Sequence, residues 1–314
     1  MNILLWHVHG SWTTAFVHGK HRYLVPVTPD RGPYGLGRAR TYPWPDSVTE
    51  VPVPRLPDEE IDVVVLQRPA EVAIVDALLG PEVPRVYVEH NTPKGDVPET
   101  RHPMADRDDL TIVHVTHFND LFWDTGGTRT AVIEHGIVPP TSSYSGELAR
   151  LAVVTNEPVR RGRVTGTDLM PRFTPVAPLD VYGMGVSTLD LPGVTVHEDL
   201  PQARMHAEIA RRRAYLHLCR WTSLGLSLIE AMAMGLPVVA LATTEAVAAV
   251  PPDAGVLSTR VDTLVDAARW LMEEPDAARR LGDRARAAAA ERYGLDRFLA
   301  DWDRLLEELP CASR

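Results

Sequence analysis

Short apolar runs recur along the first half of the chain, separated by helix-like or irregular segments. The runs are rich in Val, Ile and Leu and lack the strict polar alternation of a half-exposed strand. Such runs are typical of parallel strands buried on both faces. The predicted strands are NILLWHV (2–8), RYLVPV (22–27), DVVVL (62–66), RVYVEH (85–90), LTIVHVT (110–116) and AVIEHGI (131–137).

A proline-containing seam, VPPTSSYSGE (138–147), separates this series from a second one. The second series of strands is RLAVVTN (150–156), LDVYGMG (179–185), VTVHED (194–199), AYLHL (214–218), LPVVAL (236–241) and AGVLS (254–258). Segments rich in strong helix formers lie between and after these strands. Helices are predicted at 201–213, 227–235, 261–274 and 275–293, and an amphipathic helix with one apolar stripe is predicted at 295–309.

Alternating strands and helices predict parallel sheets with right-handed crossovers. We therefore predict an α/β fold of two Rossmann-like domains whose parallel sheets face an interdomain cleft. The first domain covers 1–140, with a C-terminal helix at 294–310 crossing back to it, and the second covers 147–293. Ligands of such sheets bind beyond the carboxyl ends of the strands. Residues 29–60 are rich in Pro and Gly and predict a long irregular or mobile loop.

Composition narrows the functional class. The chain has 314 residues, enough for two modest domains, with 45% hydrophobic and 24% charged residues. Its net charge of −10 argues against a nucleic-acid surface. Two cysteines, Cys219 and Cys311, cannot form a disulfide framework, so we expect a cytoplasmic location. The N-terminus lacks the basic region of a signal peptide and no apolar run has membrane-spanning length, so no membrane contact is expected.

The segment TSLGLSLIEAMAMGLPVVA (222–240) predicts a turn, a helix and a strand. The helix should begin near Leu226 or Ser227, with free amides that favour an anion such as a phosphate. Gly225 permits close approach of a ligand to the backbone. Glu230 should lie in the first helical turn, where its carboxylate can accept hydrogen bonds from ribose hydroxyls. In the alternative interpretation, Ser227 and Glu230 form a capping box and have no ligand.

The run from Trp221 to Ala240 resembles the signature of retaining family 4 glycosyltransferases of the GT-B fold. In that family one glutamate is followed by seven residues and a second glutamate. The matching residues are Gly225, Leu226, Glu230, Ala231, Met232, Ala233, Gly235, Pro237, Val238 and Val239. The resemblance covers 150–293 well and the first half only weakly. The family's first glutamate falls on Thr222, whose shorter neutral side chain implies either an unusual donor sugar, such as a deoxy sugar, or a sugar contact from another residue.

The resemblance implies a metal-independent enzyme without cofactors, which transfers a sugar with retention from a nucleoside diphosphate donor to a hydroxyl acceptor. Its partners would be the nucleotide sugar and a small-molecule or glycan acceptor. The first domain would be the acceptor side, and the loop at 29–60 would become ordered when the acceptor binds. Glu230 would bind the ribose and His90, at a strand end, would be the catalytic residue facing the donor sugar. The donor sugar would contact Thr222, Ser223, Leu224 and Gly225, and the diphosphate would contact Gly10, Arg161, Arg163, Leu226 and Ser227.

Three arginines in NEPVRRGRVTGTD (156–168) compete for the diphosphate. Guanidinium groups suit it through bidentate bonding, although an arginine run is more commonly a solvated loop. Arg161 is the first candidate, Arg163 the second and Arg160 the third.

Three other functions stay open. Loss of the first glutamate favours a non-catalytic sugar-nucleotide binder or a partner subunit as the main alternative. An epimerase of the same fold is a weaker one, and a nicotinamide dehydrogenase is disfavoured because no G-x-G-x-x-G follows the first strand. Histidine pairs such as His7 with His9 lack the further ligands of a metal site. His135 is interpreted as structural.

Overall fold

The computed structural model describes residues 1–309, and the chain divides into two compact units. Unit 1 is Met1–Val138 together with the C-terminal segment from Leu295, and unit 2 is Pro139–Gly294. Residue 310 of the predicted last helix and Cys311 lie outside the described residues. No helix within 1–309 is both long and apolar enough to cross a membrane.

Unit 1 contains a seven-stranded sheet in which every pairing is parallel. In chain order its strands are β1 (Asn2–Leu5), β2 (Arg22–Val27), β3 (Val48–Pro52), β4 (Val63–Leu66), β5 (Arg85–Glu89), β6 (Thr111–His114) and β7 (Arg129–Val132). Their order across the sheet is β3-β2-β1-β4-β5-β6-β7. The central strands are apolar and fully buried, as in β4, because helices cover both faces of such a sheet.

The helices of unit 1 are α1 (Gly10–Phe16), α2 (Pro69–Leu79), α3 (His117–Phe122) and α10 (Leu295–Glu307), with a 3₁₀ helix at Val53–Asp58. The last helix packs on the first through aromatic rings. The ring of Trp302 lies 5.0 Å from that of Phe16 and 5.8 Å from that of Trp12. Phe298, Trp302, Leu305 and Leu306 form its buried face, so this helix is part of the core of unit 1.

Unit 2 repeats the architecture with six parallel strands. They are β8 (Leu148–Val154), β9 (Leu179–Gly183), β10 (Val194–Glu198), β11 (Arg212–His217), β12 (Val238–Leu241) and β13 (Gly255–Ser258). The helices are α4 (Pro158–Thr165), α5 (Gln202–Ile209), α6 (Leu226–Met234), α7 (Ala246–Ala249), α8 (Val261–Glu273) and α9 (Pro275–Arg292), with 3₁₀ helices at Thr167–Arg172 and Val186–Thr188.

In both sheets the strand order reverses at an equivalent place. The unit 2 order is β10-β9-β8-β11-β12-β13, so the chain winds outward from β8 and β11, as it does from β1 and β4 in unit 1. This is the Rossmann strand order, and its ligands bind at the carboxyl ends of the two strands where the order reverses. The structure confirms the predicted α/β fold with two Rossmann-like parallel sheets.

The prediction for residues 29–60 was only half right. Residues 28–47 form a loop, but the following VTEVP forms β3 and VPRLPD forms the 3₁₀ helix. Proline obscured both elements in the sequence. It is tolerated in β3 because this strand lies at the sheet edge, where Pro52 is its last residue. Strand β7 also ends at Val132, well before the predicted 137.

Candidate functional site

The turn after β11 leads into α6 at the point where the sheet of unit 2 reverses. Gly225 is the N-cap of α6 in an extended conformation, and its carbonyl accepts the amide of Leu228. Within residues 1–309 no acceptor is found for the amides of Leu226 and Ser227. These two amides therefore form the positive end of the helix, the kind of place where an anion binds.

The capping-box interpretation of Ser227 and Glu230 is wrong. Because the helix begins at Leu226, Ser227 is already its second residue, and its Oγ lies 2.9 Å from the hydroxyl of Tyr215, which donates to it. Glu230 is the fifth residue of α6 and therefore lies just past the first turn, in which it was expected. The structure shows no acidic residue in the first turn of α6.

The carboxylate of Glu230 does not fold back on its own helix but contacts α5. Glu230 is buried, with 4% of the residue exposed. Its Oε1 accepts from Nε2 of Gln202 at 2.9 Å, and its Oε2 lies 3.3 Å from Nε2 of His206. A ribose would have to share this carboxylate with two side chains that sequence reasoning missed. Their four-residue spacing, which places both on one face of a helix, was the available signal.

A buried histidine that the sequence did not single out lies beneath this turn. His217 ends β11, and burial lowers its pKa to about 4, so its ring is neutral at physiological pH. A Cβ built on Gly225 would lie 2.9 Å from the His217 ring. The turn therefore requires glycine at 225 because the imidazole occupies the space of a side chain.

Two of the three arginines after β8 are paired with carboxylates. Arg160 bonds to Glu157, and Arg163, 81% exposed, lies 3.8 Å from Asp168. For the half-buried Arg161, by contrast, no ion pair is found within residues 1–309. The Cys219 thiol follows β11; burial raises its pKa, and the charge of Arg161 opposes that rise. Arg161 is therefore the unpaired cation close to the turn.

The rest of the predicted sugar-binding turn is only partly accessible. Thr222 and Gly225 are half-buried, whereas Ser223 and Leu224 are 1% and 7% exposed. Among these residues the structure leaves the Thr222 side chain and the Gly225 backbone best placed to meet a ligand. The other two side chains belong to the support of the turn.

In unit 1, Gly10 is the first residue of α1 at the carboxyl end of β1. A Cβ at this position would lie 2.6 Å from the ring of Tyr42, which covers the glycine. The hydroxyl of Tyr42 lies 3.5 Å from Oγ of Ser11. Close packing of Tyr42, a loop residue, explains the glycine in this structure, and no sequence pattern indicated this contact.

His90 follows β5, and its hydrogen bonds determine its tautomer. Gln67 donates from Nε2 to the carbonyl of Trp6 at 2.7 Å, so its Oε1 is the acceptor that lies 3.1 Å from Nε2 of His90. Burial, with smaller contributions from His9 and His135, holds the pKa of His90 well below its usual value. The ring is therefore neutral, protonated on Nε2, and free to accept a hydrogen bond at Nδ1.

Two further histidines accompany His90, although they are distant in sequence. The rings of His9 and His90 are 4.0 Å apart, and burial lowers the pKa of His9 to about 4 and that of His135 to about 3. Nδ1 of His135 is buried and has no partner within residues 1–309. Over the same residues no group of three His, Cys, Asp or Glu side chains could hold a metal ion.

Comparison with protein families gives one match. The model of group 1 glycosyl transferases matches residues 188–288, all within unit 2. No curated protein sequence matches the chain.

Solved structures resemble the chain over nearly its whole length. Sucrose-phosphate synthase from Thermosynechococcus elongatus has 13% identity and a TM-score of 0.72, with 98% of each chain covered. Anabaena HepE in complex with UDP-glucose has 15% identity and a TM-score of 0.73, covering 98% of this chain and 100% of that one. AviGT4, a glycosyltransferase involved in avilamycin A biosynthesis, has 15% identity and a TM-score of 0.64, with 98% of each covered. This likeness shows the GT-B fold.

Proposed function

We propose that the chain is a retaining, metal-independent glycosyltransferase that moves a sugar from a nucleoside diphosphate to a hydroxyl acceptor. The observation that carries the proposal is the turn at the reversal point of unit 2. There the free amides of Leu226 and Ser227 begin the same helix that carries the Glu230 carboxylate. Nucleotide binding needs both, a cradle for phosphate and an acceptor for ribose hydroxyls. The match to group 1 glycosyl transferases over 188–288 supports the same function.

The diphosphate would receive its positive charge from Arg161 as well as from the helix end. Arg160 and Arg163 already have carboxylate partners, so a ligand gains less from them. Charge on the leaving diphosphate develops in the transition state, and fixed donors that face it lower the barrier. Arginine and helix amides supply this stabilisation without a metal ion. Gly10 keeps its predicted place as a diphosphate contact in this proposal.

In the transfer step the bond from the anomeric carbon to the diphosphate oxygen breaks. The acceptor oxygen forms the new bond on the same face, and its proton passes to the departing diphosphate. His90 would accept a hydrogen bond from a sugar hydroxyl at Nδ1, because Gln67 occupies Nε2. Thr222 would contact the donor sugar through its neutral hydroxyl, and Gly225 through its backbone. In the glycosyltransferases that the chain resembles, a charged carboxylate occupies the position of Thr222. Ser223 and Leu224 would shape that contact from beneath.

A second function is favoured by one specific observation. Gln202 and His206 already hold both oxygens of Glu230, and Thr222 lacks a carboxylate. A protein that binds a sugar nucleotide without transferring the sugar, or that serves a partner subunit, would show these same features. Release of the nucleoside diphosphate, measured with and without candidate acceptors, separates binding from transfer.

The test of the donor site begins with thermal shifts in UDP, GDP, TDP and ADP, because a ligand of the folded state raises Tm. We then compare the preferred diphosphate with its 2′,3′-dideoxy analogue by calorimetry. The wild-type protein should prefer the natural ribose by about tenfold or more, since hydrogen bonds to a charged group contribute about 1.5–3 kcal/mol. Glu230→Gln should abolish that preference.

Glu273→Gln, an exposed carboxylate on α8, is the matched control and should retain the preference. Equal affinity of wild type and Glu230→Gln for both nucleotides would remove Glu230 from the ribose site. Absence of any nucleotide shift would contradict the proposed function as a whole.

A further inference from the structure

Unit 1 contains a pocket that the proposed donor site does not use. It lies between His7, shortly after the end of β1, and the loop at 28–47. Its volume is about 540 Å³. Pockets of this size accommodate small-molecule ligands. Its polar lining consists of His7, Asp30, Arg31, Arg38, Arg40 and Thr41. The carboxyl end of β1 is also the reversal point of this sheet, where α/β folds bind ligands.

Two arginines that line the pocket are held in place by hydrogen bonds within the protein. Arg38 donates from its guanidinium to the carbonyls of Trp44 at 2.8 Å and Pro45 at 3.1 Å. Arg31 makes two bonds to Glu50, at 2.8 and 3.1 Å, and a third to the carbonyl of Leu36. These bonds close the loop on itself and hold both guanidinium groups in fixed positions.

The backbone of the loop is strained where the pocket forms. Arg31 has φ 47°, in the left-handed region that non-glycine residues rarely adopt. Such a conformation is unfavourable and persists only where its surroundings impose it, characteristically at ligand-binding segments. The bonds to Glu50 and to the carbonyl of Leu36 impose it here.

The charge of the pocket is positive although the chain carries −10 overall. Glu50 neutralises Arg31, but the Arg38 guanidinium contacts carbonyls and no carboxylate among the described residues. Arg40 is exposed, and no hydrogen bond or ion pair of its side chain is found within residues 1–309. Against these two uncompensated cations stands one lining carboxylate, Asp30.

The same pocket offers groups that suit hydroxyls. Asp30 is an acceptor and Thr41 carries a hydroxyl. Nδ1 of His7 is buried and has no partner within residues 1–309, so a ligand could satisfy it. The neighbouring ring of Trp44 lies 4.8 Å from His7 and keeps the imidazole in place.

We propose that this pocket binds the acceptor of the transfer, and that the acceptor is a hydroxyl-rich molecule carrying a carboxylate or a phosphate group. That the ligand is the acceptor of the transfer rests on the proposed function. That the pocket binds an anion does not depend on it. Arg40 and Arg38 face the anionic group, and Asp30, Thr41 and His7 face the hydroxyls. The loop at 28–47 thus determines the acceptor class by charge.

The test measures direct binding of three matched sugars by calorimetry: glucose, glucuronate and glucose 6-phosphate. At least one of the two anionic sugars should bind about tenfold or more tightly than glucose, since hydrogen bonds to charged groups are the stronger class. Whichever binds tighter identifies the anionic group as carboxylate or phosphate. Arg40→Gln should lower the affinity for that sugar by about tenfold. Arg40→Lys should retain most of the affinity because it keeps the charge.

Arg55→Gln is the control, because this exposed arginine of unit 1 lies in the 3₁₀ helix and lines no part of the pocket. The thermal shift with UDP, measured on the same samples, reports the donor site separately. A UDP shift with no preference for anionic sugars, or with equal affinity in wild type and Arg40→Gln, would overturn the pocket assignment and leave the proposed function standing. Binding of an anionic sugar without any rise of Tm in UDP would contradict the proposed function and support the anion site.

Discussion

The two units share one strand order yet differ at the ends of their strands. In unit 1 the carboxyl ends of β1 and β5 lead to His9 and His90, whose ring centroids are 4.0 Å apart, and an arginine-lined loop lies beside β1. In unit 2 the carboxyl ends of β8 and β11 lead to an unpaired Arg161, a glycine turn and the helix that carries the Glu230 carboxylate. The unit 1 end combines neutral imidazoles with the arginines of a long loop, whereas the unit 2 end combines an arginine and a carboxylate with helix amides.

This difference teaches that the sheet supplies a place and the loops supply the chemistry. The family match covers 188–288 and so lies wholly in unit 2. Donor chemistry, the part common to many transferases, would reside there. Unit 1 would adapt to the acceptor through a loop that can change without disturbing the sheet.

The largest expected effect is a difference in acid sensitivity between the units. Burial lowers the pKa of His9 and His114 to about 4 and of His135 to about 3, against 6.5 for free histidine. Each ring is protonated more readily in the unfolded chain, so its contribution to stability is present above pH 6.5 and lost as the pH falls towards 4. Between pH 7 and pH 5, each of these histidines lowers the free energy of unfolding by about 2 kcal/mol. Unit 2 has one such histidine with a comparable shift, His217.

Hydrogen exchange followed by mass spectrometry at pH 7, 6 and 5 reads the opening of each unit within the full chain. After correction for intrinsic exchange, amides of unit 1 should lose protection before those of unit 2. His114→Gln, which removes a buried ring whose nitrogens have no hydrogen-bond partner within residues 1–309, should reduce the pH dependence in unit 1. Equal loss in both units would break the comparison.

The second effect concerns how each unit stabilises a buried carboxylate. Burial alone would raise the pKa of Asp180, but hydrogen bonds from Arg150, Arg212 and His197 outweigh it and lower the pKa to about 2. Removing one partner of a buried ion pair leaves the other uncompensated, so Asp180→Ala should lower the free energy of unfolding by about 3 kcal/mol.

Glu89 of unit 1 is the matched position. It is buried too, but its partners are Asn91 and His102, neither of them an arginine. Glu89→Gln should therefore cost only about 1 kcal/mol in urea unfolding, the loss of ordinary hydrogen bonds. A loss at Glu89 as large as that at Asp180 would contradict the view that ionic networks stabilise unit 2 more than unit 1.

The third effect tests the charge assignment in unit 2. Arg161→Gln should weaken UDP about 30-fold while leaving uridine unchanged, because only the diphosphate meets the guanidinium. Arg160→Gln, with its charge already paired to Glu157, should change UDP affinity less than about threefold. A larger loss in Arg163→Gln than in Arg161→Gln would transfer the role to Arg163.

The smallest effect is expected at Thr222. A neutral hydrogen bond contributes about 0.5–1.5 kcal/mol, so Thr222→Ala should weaken a UDP-sugar about fivefold relative to UDP. Binding of both ligands to wild type and variant, measured by calorimetry, gives this ratio directly. An unchanged ratio would show that the hydroxyl does not contact the sugar.

Most of the fold was predictable because buried parallel strands are marked by continuous apolar runs such as VVVL in β4. Strand β3 was not, because a short edge strand interrupted by proline resembles a loop. The start of α6, by contrast, was predicted near Leu226 or Ser227, and in the structure the helix begins at Leu226.

The sequence by itself determined the local chemistry: the turn, the glycine and the carboxylate of 222–230, and the arginines after β8. Their order along the chain is enough, because neighbours in sequence are neighbours in a turn or helix. Tertiary structure decided the partners. It brought Gln202 and His206 to Glu230, His9 and His135 to His90, and Tyr42 onto Gly10. These contacts form across crossovers and long loops, where packing of the sheet, and not spacing along the chain, sets which side chains meet.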